Sequence, residues 1–441
     1  MPIEVETVEA RGPAPNSADV VIVGGGIIGV FTAYFLAEQG VRTVLCEKGV
    51  VAGEQSSRNW GWCRAMGRDP RELPLMMESL RIWRGLNSRI AAETGFRQIG
   101  TLYVCPDEAA YGKREAWLPH AREHGVDSVL LRGERVRDVI PGAPAHWVGA
   151  LHTPSDGVAE PSRAAPAIAR AAQEKGALIV QNCAVRGLDM AAGRVAGVIT
   201  EQGRIAASTV VLAGGAWSSL FARRHGLRLP QLKVLASVLR TAPTDAGPST
   251  AAWGPGLALR KRLDGGYTVA SGGVVADIVP DSFRYFRDFL PLLRQEWSGI
   301  SLHLGGEFFE EFGYGRGWRL DEKSPFEKRR VLDPQPSATE IASARSNLET
   351  IFPGFRGVPT AASWGGMIDA TPDLVPIISH IDTVPGLVIS TGYSGHGFGI
   401  GPGAGRLTAE IATGVTPVVD PMPFRFSRFT DDSRPRPLTG F

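Results

Sequence analysis

The stretch VVIVGGGIIG, residues 20–29, decides how the rest of the chain is read. Val20, Val21, Ile22 and Val23 form a short β-branched run without polar alternation, the pattern of a parallel strand buried on both faces. Gly24, Gly25 and Gly26 follow at once, then Ile27, Ile28 and Gly29. A stretch of helical character then runs to Gln39 and stops at Gly40, a C-terminal cap. A second apolar run, Val41 to Cys46, ends on Glu47. Strand, GxGxxG, helix, strand, acid is the fingerprint of a dinucleotide site. Gly24 allows the tight turn, Gly26 lets a pyrophosphate approach the backbone, and Gly29 lets the helix pack on the strand. The helix N-terminus offers free N–H groups and partial positive charge, and Glu47 would accept hydrogen bonds from ribose hydroxyls.

Moving outward, glycine remains the signal. The 441 residues include 54 glycines, where average usage gives roughly 31. Residues 386–405 read GLVISTGYSGHGFGIGPGAG and are followed by the helix-forming RLTAEIATG, which predicts a second ligand-cradling loop at a helix N-terminus. Gly214 and Gly215 follow the apolar run Thr209–Leu212. No second complete fingerprint occurs, so a separate nicotinamide site is not expected.

Other features exclude whole classes. The net charge of +2, from 47 basic and 45 acidic residues that are dispersed along the chain, does not suit a nucleic-acid partner. Cys46, Cys63, Cys105 and Cys183 are widely spaced without a CxxC pair, which argues against a disulfide scaffold and a structural zinc site. The acidic, proline-bearing N-terminus does not read as a signal peptide, and no long uncharged apolar run reads as a transmembrane segment. These features predict a globular cytoplasmic protein.

Five segments in order carry a family resemblance: VVIVGGGIIG, EKGVVAGEQSSRNWG, DGVAEPSRAAPAIARAAQEKGALI, TVVLAGGAWS and the TPD…GYSGHGFGIGP block. The chain resembles the D-amino-acid oxidase/glycine oxidase (DAO) family of FAD-dependent amine oxidoreductases. The resemblance implies an α/β fold with an α+β second domain. A Rossmann-like FAD-binding domain would be assembled from 18–71, 155–231 and 359–417. An antiparallel-sheet substrate domain would comprise 72–154 and 232–358, with a C-terminal tail over 418–441. Segment 283–297 reads as one helix of the second domain, its aromatics core rather than cofactor contacts.

The resemblance also implies roles. Gly24, Gly26 and Gly29, with Ile27 and Ile28, would surround the FAD pyrophosphate, and Glu47 with Lys48 the adenosine ribose. Ser56, Ser57, Arg58 and Asn59 would run beside the flavin ring, and Val185 would meet adenine. Gly214, Gly215 and Trp217 would lie along the AMP half. Gly392, Tyr393, Gly395, His396, Gly397, Phe398 and Gly399 would wrap the ring edge. Two positions depart from relatives. Gly366 stands where monomeric sarcosine oxidases place a flavin-linking cysteine, so noncovalent FAD is expected. Ile368 stands where glycine and D-amino-acid oxidases carry a carboxylate-binding arginine. The substitutes are Arg58, Arg64, Arg68 and Arg260, with His396 a further substrate-binding candidate, and Trp60 and Trp62 could wall the pocket.

The implied chemistry is hydride removal from the carbon next to nitrogen, with the flavin supplying the redox step and no acid–base pair required. The resulting imine hydrolyses, and oxygen, a quinone or a carrier protein takes the electrons. The SSRNWG and WGGMIDATPD variants are similar to bacterial secondary-amine oxidases, including those acting on iminodiacetate. The expected substrate is therefore an amino acid or N-substituted amino acid of iminodiacetate or sarcosine type. Two alternatives stand beside it: an FAD-dependent 2-hydroxy-acid dehydrogenase, and a flavin-containing subunit of a larger electron-transfer complex.

Overall fold

The computed structural model describes residues 4–144, 146–315, 317–433 and 436–438. The opening fingerprint folds as read: β1 (Val20–Val23), α1 (Ile27–Glu38) and β2 (Thr43–Cys46) form one right-twisted unit. β1 lies at the centre of a six-stranded sheet, ordered Ile377–His380, Leu387–Thr391, Thr209–Leu212, β1, β2, Leu178–Val180. All neighbours are parallel except the edge strand Ile377–His380. The interior strands are continuous apolar runs because both faces are covered. On one face lie α1 and the helices Leu73–Ile90, Pro161–Glu174 and Gly397–Thr413, and on the other a three-stranded antiparallel layer spanning 185–206.

The second lobe is built on a ten-stranded sheet. Most of its joints are antiparallel, as expected, but Ala251–Gly254 beside Thr101–Cys105 and Val274–Asp277 beside Ile300–His303 run parallel. Its longest ladder pairs Leu232–Thr241 with Thr360–Ala370, in register from Leu232↔Ala370 to Arg240↔Ala362. Two sequence boundaries therefore move. The strand Thr360–Ala370 belongs to the second sheet, because hydrogen bonding to Leu232–Thr241 outweighs its proximity in sequence to the TPD block. The helix Leu73–Ile90 packs in the first lobe, where Trp83 reaches across to donate from Nε1 to the Gly399 carbonyl at 2.8 Å.

Segment 283–297 is also corrected. It is two short helices, Pro280–Arg284 and Phe286–Glu296, and only part of its apolar surface is core: Tyr285, Phe289 and Leu292 are buried while Phe283 and Phe286 are exposed. The tail is anchored up to the second of its two 3₁₀ turns, with Phe424 buried and Arg428 gripping Asp373 through Nε at 3.1 Å and Nη2 at 3.2 Å. Among the described residues no helix is long and apolar enough to cross a membrane.

Candidate active site

A cleft opens at the C-terminal ends of β1 and β2, the place where parallel sheets bind dinucleotides. Its shape depends on missing side chains. A Cβ at Gly24, whose φ is +111°, would overlap the Ala213 carbonyl, and one at Gly29 would overlap the carbonyl of Gly24. Gly215, with φ +50°, borders the cleft, and a Cβ there would meet no neighbour within 4 Å. The Gly26 backbone borders the same space at the start of α1, and Ser56 Oγ accepts from the Ile27 N–H at 2.8 Å. A flat, anionic cofactor with a pyrophosphate fits this donor-rich, side-chain-free cradle.

Glu47 closes the adenosine end. Its Oε2 accepts from Gly25 N–H at 2.6 Å and its Oε1 from Gly49 N–H at 2.8 Å. Burial raises its carboxyl above the ordinary range, against the pull of Lys48. Lys48 is itself committed: its Nζ donates to Glu54 at 2.5 Å and to the Arg329 and Arg330 carbonyls at 3.0 and 2.9 Å, and it lies 4.5 Å from the centre of the Trp217 ring. Residues 325–333 thus form a strap across the loop 47–54, with Phe326 and Leu332 buried in the same core as Val21 and Val44. Leu332 N–H donates to Glu54 at 2.9 Å, Arg330 pairs with Glu201 at 2.6 Å, and Phe326 packs edge-on against Trp217 inside the cleft.

The cleft continues past Gly26, Ile27, Ile28, Asn59, Tyr393, Gly395 and Gly397 into a second cavity. Gln55 borders all three spaces, and its buried Oε1 has no hydrogen-bond partner among the described residues. Gly366 makes room for it, since a Cβ there would overlap Gln55 Oε1. The second cavity is walled by Trp60, Trp62 and Trp253, with ring centres 4.8 to 6.3 Å apart, and by Ile368.

The structure brings Val185, Gly214, Gly215 and Trp217 to the cleft and Arg58, Arg64, Arg68, His396 and Phe398 to the cavity. Four positions expected at the cofactor lie behind its walls. Gly29 and Gly399 are sites of close packing. Ser57 Oγ donates to the Glu54 carbonyl at 3.1 Å, and Gly392 N–H donates to Asp369 at 2.8 Å. The helix Gly397–Thr413 also begins earlier than its sequence suggests, so Gly401, Gly403 and Gly405 sit inside it against Ile27, Leu75 and Phe31. Asp369, Gln55 and Trp253 complete the walls and are the residues the sequence reading missed. A buried Asp369 accepting from Gly392, beside the glycine loop, carries no motif of its own.

The arginines differ sharply. Arg260 is fully buried away from the cavity, paired with Glu160 at 2.9 and 3.1 Å and bound to the Trp60 carbonyl. Burial would raise Glu160, but Arg260 overrides it and holds the carboxyl at about 2. The expectation that Arg260 reaches substrate is therefore corrected: its guanidinium is consumed by the seam between lobes. Arg58 is held by Asp333 and the Gly365 carbonyl, and Arg68 by Glu72. Arg64 has no carboxylate within 4 Å among the described residues. It donates to the Met66 carbonyl at 2.5 Å and lies 3.4 Å from His396 Nε2.

Comparisons agree with this geometry. The family model described as FAD dependent oxidoreductase (DAO) matches residues 19–411. L-amino acid deaminase from Proteus myxofaciens is 36% identical, with a TM-score of 0.93 and 97% of each chain covered. Sarcosine oxidase subunit beta from Arthrobacter sp. is 27% identical over 437 residues, covering 97% of this chain and 95% of that one. Iminodiacetate oxidase from Chelativorans sp., at 18% identity and TM-score 0.71 over 92% and 98% of the two chains, shares the fold. With the cradle, the two-lobed architecture and these matches together, the chain belongs to the DAO family and is an FAD-dependent amino-acid or amine oxidoreductase.

Proposed function

We propose that this enzyme oxidises the Cα–N bond of an α-amino acid with a large apolar side chain, releasing a 2-oxo acid and ammonia after the imine hydrolyses. The observation that carries this reading is Arg64, a guanidinium without a carboxylate partner among the described residues, facing a cavity walled by three tryptophans. Arg64 would grip the substrate carboxylate by charge-assisted hydrogen bonds. The tryptophans would take the apolar side chain. FAD, when bound, supplies the two-electron acceptor. Tyr393, Gly395 and Gly397 and the α1 N-terminus would hold it, Glu47 its ribose. The buried, largely apolar cavity disfavours an ammonium and so favours the neutral amine that hydride loss requires.

The noncovalent attachment expected from the sequence is supported by Gly366, where a cysteine would run into Gln55. The narrower iminodiacetate reading finds less support, because a second carboxylate would need a second unpaired cation and both Arg58 and Arg68 are occupied. The similarity to a deaminase solved with anthranilate, an aromatic carboxylate, supports an aromatic acid in the cavity.

The test is anaerobic mixing of the flavin-loaded enzyme with phenylalanine, leucine, sarcosine, iminodiacetate and a 2-hydroxy acid. Fast bleaching of the flavin by the apolar amino acids, with 2-oxo acid and ammonia formed, is the expected result. Bleaching confined to iminodiacetate, or to the hydroxy acid, would overturn the reading.

A further inference from the structure

The end of the substrate cavity holds four buried, chargeable side chains in contact: Arg64, Arg68, Glu72 and His396, exposed by 7%, 1%, 1% and 9%. Arg68 knits the backbone, donating from Nε to the Arg64 carbonyl and from Nη2 to the His396 carbonyl, both at 3.0 Å. Its Nη1 lies 3.5 Å from Glu72 Oε2. The same carboxylate oxygen lies 3.7 Å from His396 Nδ1. On the other side of the ring, His396 Nε2 faces Arg64 Nη2 at 3.4 Å. Among the described residues, two atoms here are buried without a hydrogen-bond partner, His396 Nδ1 and Glu72 Oε1.

This arrangement fixes the tautomer. A guanidinium only donates, so the nitrogen facing Arg64 must offer its lone pair, and the ring proton must sit on Nδ1. Nδ1–H then points toward the Glu72 carboxylate, and a shift of about 1 Å closes that gap to a hydrogen bond. Burial acts to raise the Glu72 carboxyl, but Arg68 and His396 outweigh it and hold the group ionised. Burial likewise favours the neutral imidazole. With a neutral ring, two guanidinium groups face one carboxylate, which leaves one positive charge for an incoming anion.

We propose that Glu72 and His396 are positioning residues for the substrate carboxylate, with Glu72 orienting the imidazole through Nδ1–H and the Nε2 lone pair aiming the Arg64 guanidinium into the cavity. The proposal rests on the assignment of Arg64 made above. It explains why a glutamate and a histidine stay buried with unsatisfied atoms, an arrangement that costs stability and serves no packing purpose.

The test uses the flavin-loaded enzyme and anthranilate as the probe, its Kd read from perturbation of the flavin absorption band. Glu72→Gln and His396→Leu should each raise that Kd about tenfold, the size of one lost charge-assisted hydrogen bond. His396→Gln, whose amide oxygen can still accept from Arg64, should recover most of the affinity. With substrate, the loss should fall on KM more than on the bleaching rate at saturation, whereas a general loss of structure would lower flavin content and move both. If Glu72→Gln does not retain flavin, the His396 pair decides. Unchanged anthranilate binding in Glu72→Gln and His396→Leu, with binding lost in Arg64→Met, overturns this proposal and leaves the Arg64 assignment standing. Unchanged binding in Arg64→Met overturns the assignment itself.

Discussion

The cofactor cleft and the substrate cavity meet at Gln55 but are made of different material. The cleft is shaped by main chain: glycines at 24, 26 and 215, a helix N-terminus and a carboxylate that caps backbone N–H groups. The cavity is shaped by side chains drawn from distant segments, Trp60 and Trp62 from one, Trp253 from another, His396 from a third. A backbone cradle is fixed by the path of the main chain: a Cβ at Gly24 would already collide with the Ala213 carbonyl. Side-chain walls can be exchanged one at a time, which is how one fold serves different amines.

This contrast can be broken from the cofactor side first. Gly29→Ala places a methyl group on the Gly24 carbonyl and forces α1 off β1. It should abolish flavin retention, measured as flavin absorbance per mole of purified protein. Wild-type flavin content would show that the cleft is no more rigid than the cavity.

The two arginines sharpen it next. Arg260→Met leaves Glu160 with only the Leu263 N–H at 2.9 Å and the more distant Arg262 and Arg97, and should cost about 3 kcal/mol in urea unfolding, with KM unchanged in the folded fraction. Arg64→Met should do the reverse, raising KM for carboxylate substrates on the order of a hundredfold with little change in unfolding midpoint. An exchange of those phenotypes would invert the assignment.

The smallest effect is a pH slope. Asp156 accepts from Ala65 and Met66 N–H and from the Thr101 hydroxyl beneath Arg64, and burial pushes its carboxyl up to about 6. A raised acid favours the folded state fully only below its unfolded value, and that stability is lost as pH rises through 6. Between pH 5 and 7 the wild type should therefore lose about 1.4 kcal/mol relative to Asp156→Asn in urea titrations. The comparison with the variant matters because half-buried His225, held down at about 4, works in the opposite direction. Parallel slopes would remove the assignment.

The same contrast explains what could be read from the sequence. The fingerprint at 20–47 specifies strand, turn and helix by local rules, and its sheet positions followed. The glycines at 392–405 were read as one loop, yet only Gly395 and Gly397 border the cofactor route, since glycine serves helix packing as well as ligand approach. The strand Thr360–Ala370 was misassigned because its partner, Leu232–Thr241, lies over a hundred residues away. Arg64 and Arg260 are indistinguishable in sequence; only the position of Glu160 separates a structural arginine from one free to bind.

The strap over the adenosine end has a consequence for the order of assembly. Lys48 and the Arg330 carbonyl that it holds are 282 positions apart. During synthesis the fingerprint leaves the ribosome as an open shelf, long before its cover exists. The wall of the adenosine end is therefore complete only once residues 325–333 have returned over the loop 47–54 and Phe326 has met Trp217.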